Sequence, residues 1–381
     1  MAVPFSGTVE GILHHGTLLR DATASRNPRV LMQLLGPAYR GLVRRRGHGE
    51  DSTDLQPGGT ANFDWRYRRE HPEMKRLYEA AKASQWNATK DLDWSRDVDP
   101  FARGKLVPDS FIPPSHTKHF RSLTKKQQAI HRHAMLSWLL SQFLHGEQGA
   151  LYAAAPVTEA VPWMDAKLFG STQVVDEGRH VEVFHAYLTE KLEKMYEIND
   201  NLYVVVDAVM SAGEWDYKFL GMQIMIEGLA LGAFGLLRQL TREPLLKDVL
   251  GYVIKDEARH VHYGVLALQE YYEKECSPRV KRDREDFAFE LTLLMRNRFL
   301  AHEIHQEFYA HVLSRREWNR LIETSELMTL FRRTMFKRII PNLKRIGLLS
   351  DRVRPRYEAL GLLRWERGKA APDLTARDLL R

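Results

Sequence analysis

A carboxylate stands inside a long apolar run, LGMQIMIEGLALGAF, at Glu227. Buried alone and ionised, it would cost several kcal/mol or would take up a proton. Thirty residues on, VIKDEARHVHYGVLAL carries Glu257 and His260. The same arrangement occurs eighty residues earlier. LSWLLSQFLHGEQGAL holds Glu147, and VVDEGRHVEVFHAYL holds Glu177 and His180. Three residues along a helix fall about 60° short of a full turn, so each Glu and its His share one side. A lone Glu-x-x-His is common on solvent-facing helices. A set duplicated member by member, with apolar flanks, calls for positive charge at its centre.

The elements around these residues are helical. Thr124 is an N-cap for a helix that runs through KKQQAIHRHAMLSWLLSQFLHGEQGALYAAA, with Pro156 and Pro162 punctuating the connection. Further helices are expected from about 163 to 196, 207 to 240 and 245 to 276, then 281–313 and 315–341. One more falls within 65–90. No valine-rich alternating strand appears, and neither does a Gly-x-Gly-x-x-Gly or Gly-Lys-Ser/Thr loop. The expected fold is all-α: a four-helix bundle over 121–277, a partly irregular extension over 1–120, and a helical extension over 278–381. GHGEDSTDLQPGG reads as an exposed loop.

Packed as an antiparallel bundle, the four long helices bring Glu147, Glu177, His180, Glu227, Glu257 and His260 to similar depth. A Glu from each of two helices and a Glu-x-x-His from each of the other two form the ligand set of di-iron or di-manganese bundles. Mixed oxygen and imidazole donors suit two iron ions, with manganese or a mixed Mn/Fe pair as the variants.

On these residues the chain resembles the ferritin-like di-iron carboxylate proteins over roughly 120–275. The nearest groups are the ribonucleotide reductase small subunit, the acyl carrier protein desaturases and the bacterial di-iron oxygenases. The resemblance implies that the six residues ligate the metals and act catalytically. It also implies that Asp256 supports His180 and Asp176 supports His260, the usual outer partner of a ligating imidazole. Arg179 and Arg259 would pair with carboxylates nearby. Two departures narrow the chemistry. The radical-bearing tyrosine of the reductase subunit would stand at 184, which is Phe184, and the C-terminus DLTARDLLR lacks that subunit's acidic, tyrosine-containing tail. The extra histidine ligand of arylamine N-oxygenases would stand at 253, which is Val253, and His262 does not replace it.

The expected function is therefore O2-dependent oxidation of a small or medium organic substrate, by hydroxylation, N-oxygenation or desaturation. The alternative is a ferroxidase or a radical-generating protein of the reductase small-subunit kind. Electrons would come from an external ferredoxin or reductase, since no flavin or nicotinamide site is legible. Gly146, Gly149, Gly178, Gly228 and Ala258 could leave room beside the centre, and Met222, Met225 and Phe234 could line a channel. His131, His133 and His145 are expected at the surface or the substrate side. His302 and His305 are expected in structural or surface roles.

The net charge of +7, partly from Arg44, Arg45 and Arg46, carries no nucleic-acid signature. One cysteine, Cys276, excludes an intrachain disulfide and suits a cytoplasmic setting. The start MAVPFSGTVEG lacks the pattern of a signal peptide. The apolar run Met222–Leu237 is shorter than a membrane span and is interrupted by Glu227, so no span is expected. A homodimer is expected.

Overall fold

The computed structural model describes residues 26–49, 51–102 and 106–379. The expectation drawn from MAVPFSGTVEG lies outside them. Among the described residues there is no strand, and the chain forms an all-α bundle with flanking helices, in the ferritin-like arrangement expected from the sequence.

The principal helices are α1 (Pro28–Ala38), α2 (Pro72–Ala83), α3 (Lys125–Ala160), α4 (Met164–Ala186), α5 (Asp200–Ser211), α6 (Trp215–Leu240), α7 (Pro244–Lys274), α8 (Pro278–Asn297) and α9 (Glu326–Arg345). The bundle is α3, α4, α6 and α7. Its two tight connections, residues 161–163 and 241–243, reverse the chain between packed neighbours. Thr124 caps α3 as expected, in a reciprocal capping box with Gln127. Glu243 caps α7 by accepting from the backbone N–H groups of Leu245 and Leu246.

Several expected boundaries move. Pro156 lies inside α3, one turn from its end, and does not break it. The helix expected over 163–196 ends its α-helical part at Ala186 and closes in a π-helical turn, Tyr187–Leu192. The one expected over 207–240 is two helices. α5 ends at Ser211, and Lys218 donates to the carbonyls of Met210 and Ala212, pinning the break. The helix expected over 281–313 ends at Asn297, turns through Arg298–Leu300 and restarts at His302–Phe308. The stretch 315–341 divides into Arg315–Thr324 and α9. Residues 1–60, in which no sustained period was legible, contain α1.

α6 is 26 residues long and apolar enough to cross a membrane, longer than the uninterrupted run suggested. Its most apolar window is 83% buried inside the bundle, so its hydropathy is accounted for by core packing. Two flanking helices cover the bundle. α2 lies against α4 and α7, and α9 lies along α6. Gly232 permits the α9 contact, because a side chain there would meet the Met335 backbone at 2.8 Å.

Candidate metal centre

The structure brings the six donor residues together. They form two groups of possible metal ligands, Glu147, Glu177, His180 and Glu257 in one, and Glu177, Glu227, Glu257 and His260 in the other. Glu177 and Glu257 belong to both, as two adjacent metal positions require. Every donor side chain is buried, between 0 and 4% exposed.

Local structure aims them. Glu177 and His180 lie on one face of α4, and Glu257 and His260 on one face of α7. Glu147 comes from the middle of α3. Glu227 comes directly after a π-helical segment, Leu220–Ile226, within α6. A π turn holds more residues than an α turn and rotates the next side chains to a new direction, and such bulges recur at functional sites.

Each imidazole is oriented from outside. His180 Nε2 lies 3.2 Å from Asp256 Oδ2, and His260 Nε2 lies 3.2 Å from Asp176 Oδ2. A carboxylate accepts only, so each Nε2–H donates outward, and each Nδ1 faces the carboxylates of the centre. His180 Nδ1 sits 3.2 Å from Glu147 and Glu257 and 3.3 Å from Glu177. His260 Nδ1 sits 3.0 Å from Glu177 Oε1, without an aligned hydrogen bond. Arg179 pairs with Asp176 and Arg259 with Asp256, and each guanidinium lies 3.7 Å from the other aspartate. The arginines therefore bridge the two outer carboxylates.

The centre fits a metal pair. Oxygens of Glu177, Glu227 and Glu257 are buried without hydrogen-bond partners. Four Glu and two Asp face two Arg, a deficit of four positive charges that two divalent ions would supply. Without them, burial and then the charge of Glu257 hold Glu147 well above the usual carboxylate range. Burial and then Glu177 do the same to Glu227. Burial pushes Glu177 upward too, but the charges of His260 and His180 outweigh it and hold Glu177 low. Such a set is a two-metal centre built for iron or for manganese with iron.

Other expected residues fall in varied places. Gly146 opens onto space, while a side chain at Gly149 would meet Val206 at 2.9 Å. Gly178 also has open space around it, and Gly228 sits at ordinary contact distance from Ile339. Phe234 stacks on Phe184 and meets Phe143 edge-on, beside the centre. Met222 and Met225 are fully buried core. The surface expectation for His131 and His133 is corrected. Both are buried, His131 against the Tyr309 hydroxyl at 2.7 Å and His133 donating to the Leu192 carbonyl at 2.6 Å. His145, half-buried, likewise donates to the Tyr196 carbonyl. They pin the loops to α3. His305 donates to the Leu313 carbonyl, a structural role as expected, and His302 meets Asn319.

Four residues near the centre were not legible in advance. Trp86 Nε1 donates to Asp256 Oδ2 at 2.7 Å. Gln85 Nε2 donates to Asp176 Oδ1 at 3.3 Å. Gln173 donates to Glu227 at 2.8 Å. Arg298 lines a cavity shared with Glu147, Glu227 and Glu257. Only Gln173 had a signal, since it stands one helical turn before Glu177 and shares its face.

No family model and no curated protein matches the chain. Among solved structures it is similar to an R2-like ligand-binding oxidase with an aerobically reconstituted metal cofactor after photoconversion (19% identity, TM-score 0.46, covering 73% of this chain and 94% of that one). A valine-to-isoleucine variant of such an oxidase, with an aerobically reconstituted Mn/Fe cofactor, gives 21% identity and a TM-score of 0.46 over 73% of this chain and 95% of that one. Likeness at this level does not define a family for the chain, and the functional weight falls on the donor set itself.

Proposed function

We propose that the chain is an O2-reducing two-metal oxidase. Glu147, Glu177, His180, Glu227, Glu257 and His260 are its ligands, and iron, alone or with manganese, is its metal. The observation that carries this is the buried six-donor set, with its deficit of positive charge and its inward-facing imidazole nitrogens. Once bound, the metals supply electrons to O2. The protein holds the donors, excludes water with the rings of Phe143, Phe184 and Phe234, and controls where oxidising equivalents go.

Of the two outcomes anticipated from the sequence, ferroxidase or radical-generating chemistry has the better support from the local structure. The indole of Trp86 reaches His180 through one carboxylate oxygen, Asp256 Oδ2. Trp86 is buried, stacked on Tyr252 and covered by the Arg179 guanidinium. It is therefore an oxidisable side chain joined to a ligand by two hydrogen bonds, whereas position 184 holds phenylalanine. The cavity beside Glu147 and Glu227 has a volume of only ≈ 10 Å³, the space of about one water. It admits O2 more readily than a bulky substrate. An acidic ferredoxin or reductase as electron donor, a homodimeric state and a cytoplasmic setting belong to the same proposal.

The test is an O2 pulse onto anaerobic, Fe(II)-loaded protein, followed by O2 electrode, metal analysis and electron paramagnetic resonance. Uptake that stops at the iron added, with an indole-derived signal absent from Trp86→Phe, is expected. Uptake that exceeds the iron and requires an organic compound would restore the oxygenase alternative. A protein that retains no metal would end both.

A further inference from the structure

Arg298 is a buried cation that forms no ion pair among the described residues. The residue is 4% exposed, and its Nε is buried without a hydrogen-bond partner. The guanidinium lies over the ring of Phe299, 5.0 Å from the centroid. The two other arginines buried to this degree among the described residues, Arg132 and Arg284, each have a carboxylate partner. Arg284, for example, makes a two-pronged pair with Asp216 at 2.7 and 2.8 Å. A charge so little exposed and unpaired among the described residues costs stability, which a bound anion would offset.

The turn that carries it is held in place. Arg298–Leu300 ends at Ala301, whose φ of +48° lies in the left-handed region uncommon for alanine. Trp318 Nε1 donates to the Leu300 carbonyl at 2.6 Å and fixes the reversal. Arg298 then lines the small cavity that also touches Glu147, Glu227 and Glu257. With two metals bound, those carboxylates are committed to them. Gln142 is committed too, since its amide donates to the Glu197 carbonyl and accepts from the Asn199 N–H. The rest of the wall is apolar, including Phe143, Ile226 and Leu229.

We infer that Arg298 and this cavity form a binding site for a small organic monocarboxylate, with its carboxylate on the guanidinium and its apolar body toward the Glu147–Glu227 edge of the centre. A planar carboxylate matches the guanidinium fork with two parallel hydrogen bonds. A single cation within apolar walls neutralises one negative charge, which disfavours a phosphate dianion. A ligand larger than about one water must displace wall side chains, so affinity falls as the body grows. The site rests on the two-metal proposal in one respect only, that metals occupy the neighbouring carboxylates.

Calorimetry on iron-loaded protein, with metal content measured in parallel, decides it. The probes are propanoate, benzoate and their primary amides, against wild type, Arg298→Gln and Arg298→Lys. Propanoate is expected to bind at least about 10-fold tighter than propanamide, as a charge-assisted pair should. Arg298→Gln should abolish that preference with two metals still present, and Arg298→Lys should retain part of it. No acid-over-amide preference in wild type for either pair overturns the site. So does a preference that survives in Arg298→Gln, which would place the carboxylate on the metals. If wild type holds no metals but keeps an Arg298-dependent preference, the two-metal proposal falls and the carboxylate site stands.

Discussion

Asp176 and Asp256 occupy equivalent places, one residue before Glu177 and Glu257, yet they meet different partners outside the bundle. Asp256 receives His180 and the indole N–H of Trp86. Asp176 receives His260 and the amide of Gln85. The two outer partners are consecutive residues just beyond α2, a helix with no counterpart in the repeat. Burial opposes ionisation of Asp256, but His180, Arg259 and Trp86 bring it down to about 2. The inner faces differ as well. The residue four after His180 is Phe184, stacked on Phe234. The residue four after His260 is Gly264, where a side chain would meet Gln223 at 2.6 Å. The duplicated halves thus supply equal donors, and single-copy segments join one half to an indole and the other to an amide.

The largest expected effect erases both halves at once. Glu257→Ala removes a residue common to both donor groups. It should abolish loading of either metal by elemental analysis, while far-UV circular dichroism stays helical because little apolar volume is lost. Retention of two metals would show that the centre is not built around that carboxylate.

The outer aspartates come next. Asp176→Asn and Asp256→Asn should each weaken metal retention about 10- to 100-fold against a chelator, the usual scale for a partner that orients a ligating imidazole. The halves then separate through residues 85 and 86. Trp86→Phe should leave two metals bound but slow the decay of the oxidised centre measured by stopped-flow absorbance. Gln85→Leu should leave that rate near wild type. Equal effects from the two would remove the asymmetry.

Arg298→Met tests the cost of the isolated guanidinium. Exchanging a buried charge for an apolar side chain of similar volume should stabilise the fold by about 1–3 kcal/mol in urea melts. A loss of stability would point to a structural role.

The smallest effect is acid sensitivity at His131, whose pKa burial lowers to about 4. The unfolded chain takes up a proton near pH 6.5 and the folded chain does not, so stability rises with pH between about 4 and 6.5. The contribution is full above 6.5 and is lost as pH falls through 4. His131→Gln should flatten that slope in urea titrations compared with wild type.

Much of the centre was legible because helical geometry acts locally. The Glu-x-x-His spacing makes each pair share a face, and a carboxylate in an apolar run needs compensation wherever the run packs. Those constraints led from the residues to an all-α bundle and to six donors that the structure brings together. Helix ends were less legible. Pro156 looked like a break but is accommodated within α3, and the α5–α6 break is pinned by Lys218 reaching back to carbonyls in another turn. The π segment before Glu227 has no spacing signature, since it trades one hydrogen-bond register for another under the demands of packing.

By itself the sequence determined which residues had to be brought together, because periodicity and burial cost are properties of short segments. Only the tertiary structure decided which outer group each aspartate holds, that His131 is interior, and that Arg298 forms no ion pair among the described residues. Those relations join residues far apart along the chain, such as Trp86 with Asp256 and His131 with Tyr309. No local period encodes them, because they arise only when separate helices pack and exclude water from the groups between them.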